Sequence, residues 1–292
     1  MGMRIRTNVT SLVTQRHLSN NNAALSESLE KLSSGYRVNR SKDDSAGLAI
    51  AEDMRGKIRG LSQAKRNSND AISMLSVAEG GLNEMGNILI RMRELTVQAA
   101  TDTIGEADRG YLNREYTQLA SEVDRIAATS EFNGNKFFVE DPDHPRSEYS
   151  IQVGTNGNSD VDTLKINLEG LKFSSEKLGI GKGAEIGPTE VEAGPGRDII
   201  ASRLTTLDNA LTRITSERAT IGSLQSRLGS TINNLSISLE NLSTARSQIV
   251  DVDYAEETAT LAKQRILTQS NLSVLSQANQ MPEMALSLLG RQ

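Results

Sequence analysis

Two groups of carboxylates are the first candidates for reactive residues in this chain. Asp43 and Asp44 are adjacent, and residues 251–257 contain four acidic side chains. The adjacent pair could supply a general acid and base or a metal site. The second group could bind Ca²⁺, but it lacks the spacing of an EF-hand loop. Asp43 and Asp44 stand directly before an apolar helical pattern, where carboxylates cap a helix. We therefore predict a helix cap at the first group and a charged linker at the second.

Other reactive residue types are scarce. The chain has no cysteine and two histidines, His17 and His144, which excludes disulfides, thiolate chemistry and a three-histidine zinc site. The Gly-rich run at 179–183 lacks the spacing of a phosphate-binding loop. We predict no catalytic, cofactor-binding or metal site, and no enzymatic activity.

Composition narrows the possible partners. The net charge of −5 disfavours a nucleic-acid-binding protein, which usually has a basic excess. The nine aromatic side chains are fewer than a globular enzyme of 292 residues normally contains. No segment has 18 consecutive apolar residues, and the N-terminus has no apolar core of a signal peptide. We expect no membrane insertion and no cleaved signal peptide.

Heptad periodicity indicates the elements that must hold these residues. Apolar residues occupy twelve of fifteen positions stepped by four and three from Ile50 to Ala99, and eleven of fourteen from Leu204 to Ile249. The predicted fold class is mainly α: a long, coiled-coil-like antiparallel helix bundle with paired N- and C-terminal helices. The predicted long helices span 44–100, 106–129 and 200–250, with a bend possible at Gly80–Gly81.

The centre of the chain differs from these helices. Alternating segments at 149–153 and 163–168 flank a turn-rich run, which predicts a small β-hairpin within a region spanning 132–180. Residues 181–198 are predicted to be a flexible loop, and no apolar face is expected from 179 to 196. The segment 140–150 has no assigned role.

The two ends form short amphipathic arms. Residues 1–42 have a net charge of +5 and residues 251–292 of −2, so the arms are expected to pair with each other and with neighbouring subunits. Together they form one predicted domain, and residues 43–250 form a second, rod-like domain. Because the arms contain few large apolar residues, we expect them to become ordered only when they pack against a partner. The predicted assembly residues are Leu18, Leu25, Leu29, Leu32, Leu261, Leu272, Leu275 and Leu288.

Specific motifs resemble bacterial flagellins. They are LSSGYRVNRSKDDSAGLAIAEDM from Leu32, the run from Gln63 to Thr101, and the C-terminal run from Ile232 to Leu289, which contains SVLSQANQMP. The resemblance implies an extracellular subunit of the flagellar filament that serves motility and is minimal, because 181–198 is too short for an outer domain. The implied partners are further copies of the chain, the flagellar cap and hook-junction proteins, and an export chaperone on the C-terminal arm. A hook–filament junction protein with similar ends is the alternative.

One patch has two interpretations. Arg91 and Leu95 lie off the heptad positions and are four residues apart, so we expect them to share an exposed face with Glu115 on the adjoining helix. On spacing alone the patch is a subunit contact. The resemblance adds recognition by the vertebrate Toll-like receptor that senses flagellin.

Overall fold

The structure is a computed structural model. It describes residues 7–139, 148–157, 159–181, 183–188 and 197–289, excluding the side chains of 159, 160, 197 and 281–289. Most of the segment 140–150, with His144, lies outside the described residues. Within the described part of the chain, no helix has both the length and the apolar character needed to cross a membrane.

The fold is mainly α, as the heptad patterns predict. The helices are α1 (Val9–Ser34), α2 (Ser45–Ala99), α3 (Glu106–Thr129), the short α4 (Ser159–Asp162), α5 (Arg197–Val250) and α6 (Tyr254–Leu289). The strands are β1 (Glu131–Phe132), β2 (Asn135–Lys136), β3 (Glu148–Gln152) and β4 (Thr163–Asn167). A 3₁₀ turn follows β4 at Glu169–Leu171.

These elements form two compact units. One comprises Met1–Ile58 with Glu240–Gln292, and the other comprises Arg59–Leu239. The unit Arg59–Leu239 contains an antiparallel helix bundle in which α2 and α5 run in opposite directions. Arg93 contacts Asp208, and the earlier Glu79 contacts the later Gln225. Several of the unit's fully buried apolar residues occupy predicted heptad positions: Leu75, Leu82, Met85, Leu89 and Met92 on α2, and Leu207 and Leu228 on α5. Val123 on α3 is fully buried as well.

The heptad phase is wrong at the start of α2. The stepping assigned Ile50 and Lys57 to buried positions, whereas Ile50 is 49% exposed and Ala51 is 1% exposed. Ile58 is half-buried in place of Lys57. The shift by one residue leaves the Lys57 ammonium in water, 2.8 Å from Asp53, because a charged group is costly to bury.

The predicted β-hairpin is present, and a second hairpin was missed. In the first, β3 and β4 pair antiparallel, with Tyr149 opposite Ile166. In the second, β1 and β2 flank Asn133 and Gly134, whose φ angles are 51° and 78°. An Asn-Gly pair is a strong signal for a type I′ turn, so this hairpin was readable in the sequence.

The expectation of no apolar face from 179 to 196 is wrong for the described residues. Ile180, Ala184 and Ile186 are between 0% and 3% exposed and belong to the core. The backbone N–H of Ile186 donates a 3.0 Å hydrogen bond to Oδ1 of Asn113. Glycines, Lys182 and Glu185 interrupt these apolar residues, so the segment has no apolar run long enough to predict a helix or strand. Residues 189–196 of the predicted flexible loop lie outside the described residues.

Candidate assembly surfaces

The carboxylate pair near the start of α2 caps backbone groups. Oδ1 of Asp44 accepts a 2.8 Å hydrogen bond from the N–H of Gly47, which is the predicted cap. Oδ2 of Asp43 accepts from the N–H groups of Asn39 and Arg40. The hydrogen bond from Arg40 N–H, which stabilises the ionised carboxylate, lowers the pKa of Asp43. Both aspartates have a structural role here.

The acidic linker also serves local structure. Oδ1 of Asp253 accepts a 2.8 Å hydrogen bond from the N–H of Ala255 at the start of α6. Oδ2 of Asp251 accepts from Oγ of Ser247 at 2.6 Å, and Asp251 pairs through its backbone with Tyr36. No group of three or more His, Asp or Glu side chains in the described residues is arranged to hold a metal ion.

Arg91 and Glu115 form an exposed ion pair between α2 and α3. Nη2 of Arg91 lies 2.8 Å from Oε1 of Glu115, and Nη1 lies 3.0 Å from Oε2 of Glu94. About half of the Arg91 side chain is exposed. The hydrogen bond to Glu115 raises the pKa of Arg91 above its ordinary value. The patch thus offers a fixed guanidinium with carboxylates on two sides.

Leu95 does not belong to that exposed face. It is 1% exposed and part of the core, so its predicted exposure is wrong. The heptad positions gave α2 one narrow apolar stripe, but α2 packs against both α3 and α5. A helix with two neighbours needs a wider apolar face, which reaches Leu95 beside Met92 and Thr96. The structure therefore brings together Arg91 and Glu115 at the surface and leaves Leu95 inside.

The terminal helices α1 and α6 pack against each other in the unit Met1–Ile58 with Glu240–Gln292. Among the described side chains of the two helices, the buried ones are small or polar: Ser11, Thr14, Ser28 and Ala278. Of the predicted assembly leucines, Leu29 is 45% and Leu272 is 52% exposed. Five others are half-buried: Leu18, Leu25, Leu32, Leu261 and Leu275. The side chain of Leu288 lies outside the described residues.

Further apolar side chains on these helices are exposed and were missed from the sequence. Val9 and Leu12 on α1 are 55% and 56% exposed, and Ile266 on α6 is 69% exposed. They fall outside the leucine pattern that marked the arms. No spacing in the sequence marks them, and their exposure follows from the folded pair of helices, whose described buried side chains are small or polar. Such a surface is typical of a protein that associates.

Comparison with known proteins identifies the family. Residues 5–141 match the model of the bacterial flagellin N-terminal helical region, and residues 204–289 match that of the C-terminal helical region. The chain is 40% identical to the flagellin of Xenorhabdus nematophila over 317 aligned residues, covering 98% of each chain. The chain belongs to the bacterial flagellin family. Flagellins are structural proteins, and the chain is a subunit of the flagellar filament, which serves motility.

Two further relatives agree with this flagellin assignment. The flagellin of Bacillus subtilis (strain 168) is 40% identical, with 98% of this chain and all of the relative covered. The flagellar filament 33 kDa core protein of Treponema phagedenis is 37% identical, again over 98% of this chain and all of the relative. The predicted fold class and filament function are thus confirmed, and none of these relatives favours the hook–filament junction alternative.

Proposed function

We propose that this flagellin chain makes its main filament contacts through the arms, residues 1–42 and 251–292, with residues 43–250 as the rod domain. The observation that carries the proposal is the exposed apolar surface of α1 and α6. Leu272 and Ile266 are more than half exposed, although α1 and α6 already pack on each other. Neighbouring subunits in the filament would bury this surface, and the hydrophobic effect would drive assembly.

Shortening the arms tests this proposal. We expect a chain that ends at Asp253, which lacks α6, to remain helical and not to polymerise. Circular dichroism and sedimentation measure the two properties. The matched control is Leu272→Ser, which removes one exposed apolar side chain and should raise the critical concentration for assembly without abolishing it. Normal filaments from the shortened chain would exclude α6 as an assembly element.

A second contact is proposed at Arg91 and Glu115, without the buried Leu95. The exposed ion pair is held in a fixed geometry on two rigid helices, which suits a polar contact with a neighbouring subunit or with the Toll-like receptor. If a subunit covers this patch, the receptor has access to it only on monomers.

The patch is tested with Arg91→Ala against Arg125→Ala. Arg125 is an exposed arginine in the same unit, paired with Glu122 on α3. We expect both variants to fold, and only Arg91→Ala to weaken filament stability and receptor activation by monomer. Equal effects of the two variants would show that the patch has no special role.

The remaining partners follow from family membership. We infer an extracellular filament location, contacts with the flagellar cap and hook-junction proteins at the filament ends, and an export chaperone on the C-terminal arm. The chain ending at Asp253 should therefore lose binding to its export chaperone in a co-purification assay, whereas Arg91→Ala should retain it. We further propose that the chain has no catalytic activity of its own.

A further inference from the structure

Helix α6 contains a proline well inside its bounds, at Pro282. Proline has no backbone N–H, so the carbonyl four residues earlier receives no helical hydrogen bond from it. That carbonyl belongs to Ala278, which is 4% exposed. An unpaired carbonyl at a buried position is costly. The sequence of α6 therefore creates one acceptor that has to be satisfied from outside the helix.

Asn8 supplies the missing donor. Its Nδ2 donates a 2.8 Å hydrogen bond to the carbonyl oxygen of Ala278. Its Oδ1 accepts a 3.0 Å hydrogen bond from the N–H of Ser11, which caps the start of α1. Because both ends of one amide are used, the N-terminal end of α1 and the Ala278 carbonyl of α6 are tied through a single side chain.

A neighbouring bond supports the same alignment. Oγ of Ser11 donates to Oδ1 of Asn279 at 2.8 Å, and Ser11 is 8% exposed. Thr14, Ser28 and Ala278, which are the other buried residues among the described side chains of the two helices, are small. Small side chains do little to distinguish one alignment of two helices from another one turn away. Buried polar groups can make that distinction, as a single asparagine does in coiled coils.

We propose that Asn8 is the positioning residue that fixes the register of α1 on α6, by occupying the carbonyl that Pro282 leaves free. A slide of α1 by one helical turn removes the donor from Ala278. The register matters for assembly because it sets the relative positions of the exposed apolar residues of the two helices, such as Leu12 and Ile266.

The test separates the bond to α6 from the cap of α1. Asn8→Asp keeps an oxygen that caps Ser11 and places a negative charge at a helix N-terminus, which is favourable. It also removes the donor and sets a carboxylate oxygen against the Ala278 carbonyl. Pro282→Ala returns a helical N–H to that carbonyl. We therefore expect Asn8→Asp to lower the thermal depolymerisation midpoint of filaments by several degrees, and by less than half as much in the Pro282→Ala background.

The control is Asn20→Asp, which makes the same charge change at an exposed position of α1 and should move the midpoint little. An unchanged or higher midpoint for Asn8→Asp would show that Asn8 is only a cap. Equal shifts in the two backgrounds would show that Pro282 is not coupled to Asn8. Either result overturns the proposal.

A second measurement does not require filaments. The chain has no cysteine, so the full-length pairs Ser11→Cys with Asn279→Cys and Ser11→Cys with Leu275→Cys report the native register and a register one turn away. We expect the 11–279 disulfide to dominate, and Asn8→Asp to shift formation several-fold toward 11–275. A ratio that Asn8→Asp leaves unchanged, or no 11–279 disulfide with Asn8 in place, would contradict the proposal.

Discussion

The ring of Phe138 lies directly against the backbone of α2 at Gly81. A methyl group at Gly81 would stand 2.7 Å from Cε2 of Phe138, whereas one at Gly80 would meet nothing within 4 Å. Phe138 is 1% exposed and belongs to the core of the unit Arg59–Leu239. The two adjacent glycines therefore have different roles, since only Gly81 makes room for an aromatic ring.

Alanine at these two positions should have opposite effects. Gly81→Ala is expected to destabilise the chain by about 1–3 kcal/mol, because the ring has to move. Gly80→Ala should stabilise it by up to about 1 kcal/mol through helix propensity. Urea unfolding followed by circular dichroism measures both free energies. Stabilisation by both alanines would mean that Phe138 does not pack on Gly81.

Leu95 is expected to act as a core residue. Leu95→Ala should lower the free energy of unfolding by about 2–5 kcal/mol, because it leaves a cavity between packed helices. Ile90 lies on the same helix and is 51% exposed. Ile90→Ala should therefore change the free energy of unfolding by no more than about 0.5 kcal/mol. Thermal unfolding of the purified monomers compares the two. Equal, small effects of the two substitutions would mean that Leu95 is exposed rather than buried.

Tyr116 should make the bundle sensitive to alkaline pH. Burial raises the pKa of Tyr116 from 10.0 to about 12, so folding favours the protonated phenol. The stabilisation from the protonated phenol is fully present below pH 10. It falls by about 2–3 kcal/mol as the pH rises toward 12. Tyr116→Phe cannot ionise and should unfold at a higher pH.

The control for that titration is Tyr111→Phe on the same helix, because Tyr111 is 64% exposed. Circular dichroism between pH 9 and pH 12.5 gives the unfolding midpoint of each chain. A midpoint that Tyr116→Phe and Tyr111→Phe move equally would show that burial of Tyr116 is not the cause.

Periodicity predicted the helices well, because the long bundle repeats one packing pattern. Leu82 and Ile214 are buried where the heptads placed them, and α3 begins at the predicted Glu106. The pattern failed at Leu95, where α2 packs on more than one neighbouring helix. A single apolar stripe of heptad positions marks only one of those packing faces. It also failed at Ile186, which is buried by the fold of an irregular segment with no period to read.

The assembly surface was only partly predictable for a similar reason. Leucine spacing marked Leu29 and Leu272, which are exposed, but not Val9 or Ile266. A surface that is buried only against a neighbouring subunit makes few contacts within its own chain, so the packing pattern of the chain does not mark its limits. The hydrogen bond from Asn8 to Ala278 joins positions 270 residues apart, and only the folded pair of helices brings them together.

The most direct test of the account is elongation of filament seeds by purified monomer, followed by light scattering and electron microscopy. The full chain should add to seeds and form long filaments, because neighbouring subunits bury the exposed apolar faces of α1 and α6. The chain ending at Asp253 should fail to add under the same conditions while remaining helical. Failure of the full chain to elongate seeds, or equal elongation by the shortened chain, would contradict the account.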